Sequence, residues 1–238
     1  GRASGYTYAR EGHPNADVVA AKIDALEASP TQGIMLGSGM GAISAVFLGL
    51  LKSGDHIVAG DQLYGRSLRL LTQDLPRFGI ECTFVDAGDA ANVAAAMRPE
   101  TKLVMVEVVS NPTLRIADID GIAAVIAQHD NALLMLDNTF TTPRAIRAYD
   151  HGADVVVHSV TMLLAGHSDV TLGYVSVADP TLRQPIVDAA VTWGLTPSPW
   201  DCWMAERGMH SFDLRFDRAQ QTAGQIADHL AGLDGVDA

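Results

Sequence analysis

Basic residues are scarce in this chain: 16 lysines and arginines stand against 28 aspartates and glutamates, a formal net charge of −12 over 238 residues. Only three of them are lysines, Lys22, Lys52 and Lys102. A chain this acidic offers no positive field to a phosphodiester backbone, which argues against a nucleic-acid partner. Any anionic ligand has to be held by a local constellation instead. Cysteine is nearly missing as well. Cys82 and Cys202 fit reduced thiols in a cytoplasm better than a disulfide framework. No apolar run approaches the roughly 18 residues of a membrane span, and no secretory-signal pattern opens the sequence. The first residue, Gly1, reads as mid-sequence.

What is present is apolar and periodic. With 48% hydrophobic residues the chain can bury a large core, as one domain or one and a half. Residues 1–15 are polar and glycine-rich and read as a loop. Pro14 then starts a helix that Ser29-Pro30 ends. A short apolar segment runs into the glycine-rich turn at 33–41, and a helix is expected over 42–52. Strand and helix patterns then alternate: strands over 56–59, 81–85, 102–108, 133–136 and 155–157, helices over 67–78, 90–97, 119–128 and 143–149. After Val177 the pattern is helical, over 182–191, 200–210 and 212–230. Near-continuous apolar strands alternating with helices predict an α/β fold, a mostly parallel sheet with helices on both faces.

Polar residues gather where the expected strands end, as ligand sites do in open α/β sheets. Gly37-Ser38-Gly39-Met40 opens a helix whose free N–H groups and dipole suit a phosphate, although it reads equally as a tight strand-to-helix turn. Tyr64 follows a strand, where its ring can stack on a planar ligand or simply pack. Asn111 can present an amide to a ligand oxygen, and Asn111-Pro112 is also an ordinary turn signal. Asp137 ends an apolar run, so its carboxylate needs a cationic partner such as a pyridinium N–H, or serves as a helix N-cap. Ser159 and Thr161 offer two hydroxyls on one side of an extended segment, suited to an anionic group. His158 and His167 flank this stretch without metal-ligand spacing, which favours structural hydrogen bonding.

In order and spacing these pieces resemble the cystathionine gamma-synthase-like family, the pyridoxal phosphate (PLP) enzymes of cysteine and methionine metabolism. Its Y-x-R element is matched by Tyr8-Ala9-Arg10, its SGM loop by Ser38-Gly39-Met40, and its LYG turn by Leu63-Tyr64-Gly65. Its NPT segment matches Asn111-Pro112-Thr113, its DNTF-x-TP segment 137–143, its GHSD turn 166–169, and its PSP-x-D-x-W-x-x-x-RG stretch 197–208. The resemblance implies the large domain of an aspartate-aminotransferase-like (fold type I) PLP-dependent transferase. The backbone N–H groups of Gly39 and Met40, with Ser159 and Thr161, would cradle the phosphate. Tyr64 would stack on the ring and take part in catalysis, Asp137 would pair with its nitrogen, and Asn111 would contact its oxygen. Tyr8 and Arg10, on an arm over 1–15, would reach the neighbouring subunit's site in a homodimer or homotetramer with shared active sites. The PLP-binding domain would span 16–210, and 211–238 would begin a C-terminal domain that is otherwise missing. The substrate would be a small amino acid of the cystathionine, methionine or O-acylhomoserine type.

One departure is central. The family holds PLP through a lysine in a Ser-x-Thr-Lys pattern, and here the fourth residue is Met162. A thioether has no amine and no titratable proton, so PLP is expected to be held noncovalently. Turnover is expected to drop by at least the roughly 10²–10⁴-fold of one lost acid–base group. Two readings follow: a lyase or transferase of sulfur amino-acid metabolism impaired at position 162, or a noncatalytic PLP- or amino-acid-binding pseudoenzyme or truncated gene product. Arg66 follows Leu-Tyr-Gly where methionine gamma-lyases have cysteine, which lowers that reaction without choosing among the others.

Overall fold

A computed structural model describes residues 5–236. Its centre is a seven-stranded sheet: β1 (Ile34–Leu36), β2 (His56–Gly60), β3 (Glu81–Val85), β4 (Thr101–Glu107), β5 (Leu133–Asp137), β6 (Val155–Ser159) and β7 (Gly173–Val177). The spatial order is β1-β7-β6-β5-β4-β2-β3. β7 runs antiparallel to both of its neighbours and every other pair is parallel. The expected mostly parallel sheet is therefore present. β7 is an addition, and it runs antiparallel because the chain returns from the end of β6 through 160–172 without a crossover helix.

Alternation along β4 explains why its apolar run is unbroken. Leu103 and Met105 point into one core layer, Val104 and Val106 into the other. The first layer is closed by the helix Gly39–Leu50 together with Arg183–Thr192. The opposite face carries α1 (Pro14–Glu27), the helices Ala90–Ala96 and Ile119–Ile126, and Pro199–Met209. We call Gly39–Leu50 α2. A last helix, Phe212–Ala231, leaves most of its length exposed. Among the described residues no helix is long and apolar enough to cross a membrane.

One expected helix is not continuous. The stretch 67–78 divides into a helix at Gly65–Arg69, a wider π turn at Leu70–Asp74 and a 3₁₀ turn at Leu75–Phe78. Pro76 has no N–H to donate back along an α-helix, and the turn widens so that the Leu75 N–H reaches Leu70 O. Likewise 143–149 resolves into a single turn, Thr142–Ala145, and a 3₁₀ turn, Ala148–His151, parted by extended Ile146.

Candidate active site

The carboxyl ends of β4, β5 and β6 and the start of α2 converge on one cavity of about 260 Å³. Two glycines permit that convergence. A Cβ on Gly39 would lie 2.7 Å from Ser159 Cβ, and one on Gly173 would lie 2.0 Å from Ser38 O. Any side chain at either place would push α2 off the ends of β6 and β7. Ser38 caps α2 by accepting from Gly41 N at 2.9 Å. Gly39 and Met40 are its first two helical residues, so their N–H groups have no intrahelical acceptor and face the cavity they line.

Eight of the residues expected from the sequence line this cavity: Gly39, Met40, Tyr64, Asn111, Asp137, Ser159, Thr161 and Met162. They differ in what they have left to give. Thr161 donates its hydroxyl to Leu172 O at 3.2 Å and accepts from Leu172 N at 2.9 Å, so its proton is already committed. Ser159 has no such commitment for its hydroxyl among the described residues. Its backbone N–H bonds Thr139 Oγ1 at 2.8 Å, and Thr139 Oγ1 in turn donates to Asp137 Oδ1 at 2.5 Å. Met162 is 44% exposed, at the cavity mouth.

Tyr8 and Arg10 are not in this cavity. Arg10 lies over the Tyr8 ring at 5.0 Å and donates to Val191 O at 3.1 Å, on the outer surface. The flanking histidines are structural, as expected. His158 is fully buried and donates from Nε2 to Glu27 Oε1 at 2.6 Å, and His167 Nδ1 donates to Ala165 O at 2.6 Å.

Sequence reasoning missed Glu107. It ends β4 in register with Asp137 of β5, so two carboxyls stand side by side at the cavity floor. Glu107 Oε1 accepts from Tyr64 N at 2.6 Å and Oε2 from Asn111 N at 2.9 Å. Asp137 Oδ1 accepts from Thr139 N at 3.0 Å as well as from the Thr139 hydroxyl, and Oδ2 has no partner among the described residues. Among the described residues no lysine, arginine or histidine lines the cavity. Burial, and then the charge of Asp137, push Glu107 up to about 7. Burial raises Asp137 too, against the opposing hydrogen bonds of Thr139. The available signal was a charged residue closing an otherwise apolar strand.

A raised carboxyl binds its proton in the folded chain at pH values where the unfolded chain has released it. Its stabilising contribution is whole below its ordinary value of 4.5 and is lost as pH rises through about 7. Relative to Glu107→Gln, which does not titrate, the ligand-free protein should lose stability across that window. The expected slope reaches up to about 1.4 kcal/mol per pH unit. Urea melts of both proteins across the window check this, and a difference independent of pH would contradict the buried, uncompensated carboxyl.

A helix start that suits phosphate, an aromatic ring at the rim and an unpaired carboxylate oxygen at the floor define an open α/β sheet with a site for a phosphorylated cationic ring. The chain belongs to the Cys/Met metabolism PLP-dependent enzyme family, whose model matches residues 1–238. It is 41% identical over 223 residues to a cystathionine beta-lyase of Bacillus subtilis, covering 94% of this chain and 56% of that protein. It is 37% identical over 239 residues to an L-methionine gamma-lyase of Porphyromonas gingivalis, covering 100% of this chain and 60% of that protein. The crystal structure of a cystathionine gamma synthase from Xanthomonas oryzae pv. oryzae in complex with cystathionine superposes with a TM-score of 0.94. That pair is 35% identical, over 100% of this chain and 61% of the other. The chain thus spans about three-fifths of the length of these relatives, and its fold is that of the fold type I PLP enzymes.

Proposed function

We infer that this chain is the cofactor-binding part of a PLP-dependent protein of sulfur amino-acid metabolism, and that it holds PLP without a covalent bond. The observation that carries the reading is the pair Glu107 and Asp137, two carboxyls on a cavity floor that no cationic side chain lines among the described residues. A buried carboxylate is costly unless it is paired. Asp137 would find that pairing in a protonated ring nitrogen. Gly39 and Met40 N–H and the Ser159 hydroxyl would hold the phosphate, with Thr161 beside them. Tyr64 covers the ring and Asn111 meets its oxygen. When bound, the cofactor supplies an electron sink for negative charge developing at an amino acid's α-carbon.

The remaining chemistry falls to the chain's own residues, and there position 162 sets the limit. The family's lysine position is a thioether that can neither hold nor move a proton. Lys22 is ion-paired to Glu206, Lys52 follows the far end of α2, and Lys102 lies near the opposite end of β4 from Glu107. The cavity residues bind and orient, and at position 162 they lack the proton-transfer group that such a reaction uses. The relatives support β- or γ-elimination or replacement, on cystathionine, methionine or O-acylhomoserine type substrates, as the work of the protein line. Met162 supports the second reading, a noncatalytic binder of PLP or an amino acid. The outward position of Tyr8 and Arg10 supports an arm, over 1–15, that completes a neighbouring subunit's site in a homodimer or homotetramer. Two free thiols, Cys82 and Cys202, support a reducing compartment such as the cytoplasm.

The test is incubation with PLP, desalting, borohydride reduction and intact mass. Cofactor absorbance should survive desalting while the reduced protein keeps its unmodified mass. A stoichiometric adduct on one lysine would overturn noncovalent binding, and loss of all cofactor on desalting would overturn the cofactor reading.

A further inference from the structure

We propose that Glu107 is a positioning residue for the ring of the cofactor: its one carboxylate ties together the two loops that present Tyr64 and Asn111 to the cavity. This rests on the reading of the cavity as a PLP site. The two loops come from different strands, β2 and β4, and besides Glu107 they are joined by an exposed ion pair, Arg115 to Asp61 at 3.7 Å, and by one contact at the rim. At the rim Thr113 Oγ1 donates to Gln62 Oε1 at 2.9 Å, where Thr113 is exposed, Gln62 is half-buried and water competes. At Glu107, 8% exposed, the bonds to Tyr64 N and Asn111 N are short, charge-assisted and shielded from water. Each bond fixes the main chain of a residue whose side chain lines the cavity. One therefore sets the plane of the Tyr64 ring and the other the direction of the Asn111 amide.

The phosphate cradle is built from other parts. Gly39, Met40 and Ser159 belong to α2 and β6, and none of them bonds to Glu107. A residue that only stabilised the domain would affect phosphate and ring binding alike. A residue that positions the ring-facing loops affects the ring alone, and this separates the two roles without any measurement of turnover.

The experiment compares inorganic phosphate and PLP as ligands of the wild type and of Glu107→Gln. An amide can accept one of the two N–H groups but turns its own N–H₂ toward the other. The dissociation constant for PLP is expected to rise about tenfold, the equivalent of one lost charge-assisted bond, and the circular dichroism induced in the PLP absorption band to weaken. The affinity for phosphate should stay within about twofold, far less than one such bond. Equal weakening of both ligands, or no change in either, overturns the proposal. A wild type that binds phosphate but not PLP overturns the underlying cofactor reading, and the positioning role with it. If Glu107→Gln does not fold, Glu107→Asp, which keeps the charge but is one methylene too short to reach both loops, is read in the same way.

Discussion

Met162→Lys should convert a protein that gives no borohydride-stable adduct into one that carries one PLP per chain on residue 162. The backbone there is already fixed for the purpose. Met162 N donates to Ser159 O at 3.1 Å, and Gly166 N donates to Met162 O at 2.8 Å. The side chain emerges at the cavity mouth, 44% exposed, so an unbranched lysine replaces an unbranched methionine without crowding a packed core. An amine at this point would share the cavity with a bound aldehyde, and proximity of this kind is the main requirement for the bond to form. Peptide mapping of the reduced protein locates the adduct. Labelling at residue 162 with restored β- or γ-elimination would make Met162 the sole defect of an otherwise intact site. Labelling without turnover would assign the remaining deficit to parts of the protein outside these residues. Retained cofactor with no label at 162 would mean that the position does not face the aldehyde, and the assignment of Ser159, Thr161 and Met162 to the cofactor would be wrong.

The sequence made the site legible because its parts lie at strand ends, and strand ends are marked locally. Asp137 follows five apolar residues, Ser38-Gly39 opens a helix, and the hydroxyls of Ser159 and Thr161 stand two apart. β3 is found where the pattern puts it, and the other expected strands differ by a residue or two at their ends. What stayed hidden depends on partners far away in the chain. β7 contains Gly173, Tyr174 and Ser176, a composition without a clean two-residue alternation. It is a strand because β1 and β6 pair with it on both sides. One of the two hydrogen bonds that Glu107 accepts comes from Tyr64, 43 residues away, and one of the donors to Glu27 is His158, 131 residues away. A pattern read along one window holds no record of such pairs. The break in 67–78 was different, since Pro76 stood in plain view inside the helical pattern.

Glu27→Ala should be the most destabilising single change among those considered, lowering the free energy of unfolding by about 3–5 kcal/mol. Glu27 is the last residue of α1 and fully buried. Its Oε1 accepts from Asn138 Nδ2 at 2.8 Å and from His158 Nε2 at 2.6 Å, and its Oε2 accepts from Ala148 N at 3.1 Å. Three donors that water cannot reach lose their acceptor together. Each buried group left unpaired costs about 1–3 kcal/mol, and local collapse recovers part of the sum. His158 suffers most, because among the described residues its buried Nδ1 has no partner and Glu27 is the one group its ring hydrogen-bonds. Against a total stability of about 5–15 kcal/mol the loss is large. Glu206→Ala, which removes a partly exposed pair with Lys22, is the control and should cost no more than about 1 kcal/mol. Urea unfolding of the two variants decides it: similar small losses would mean that the Glu27 site relaxes or admits water. The expected damage also has a direction. Asn138 directly follows Asp137 and His158 directly precedes Ser159, so Glu27 holds the ends of β5 and β6 from the face opposite the cavity. Even where Glu27→Ala still folds, the carboxylate and the hydroxyl that meet the ligand would lose their common support, and PLP affinity should fall with stability.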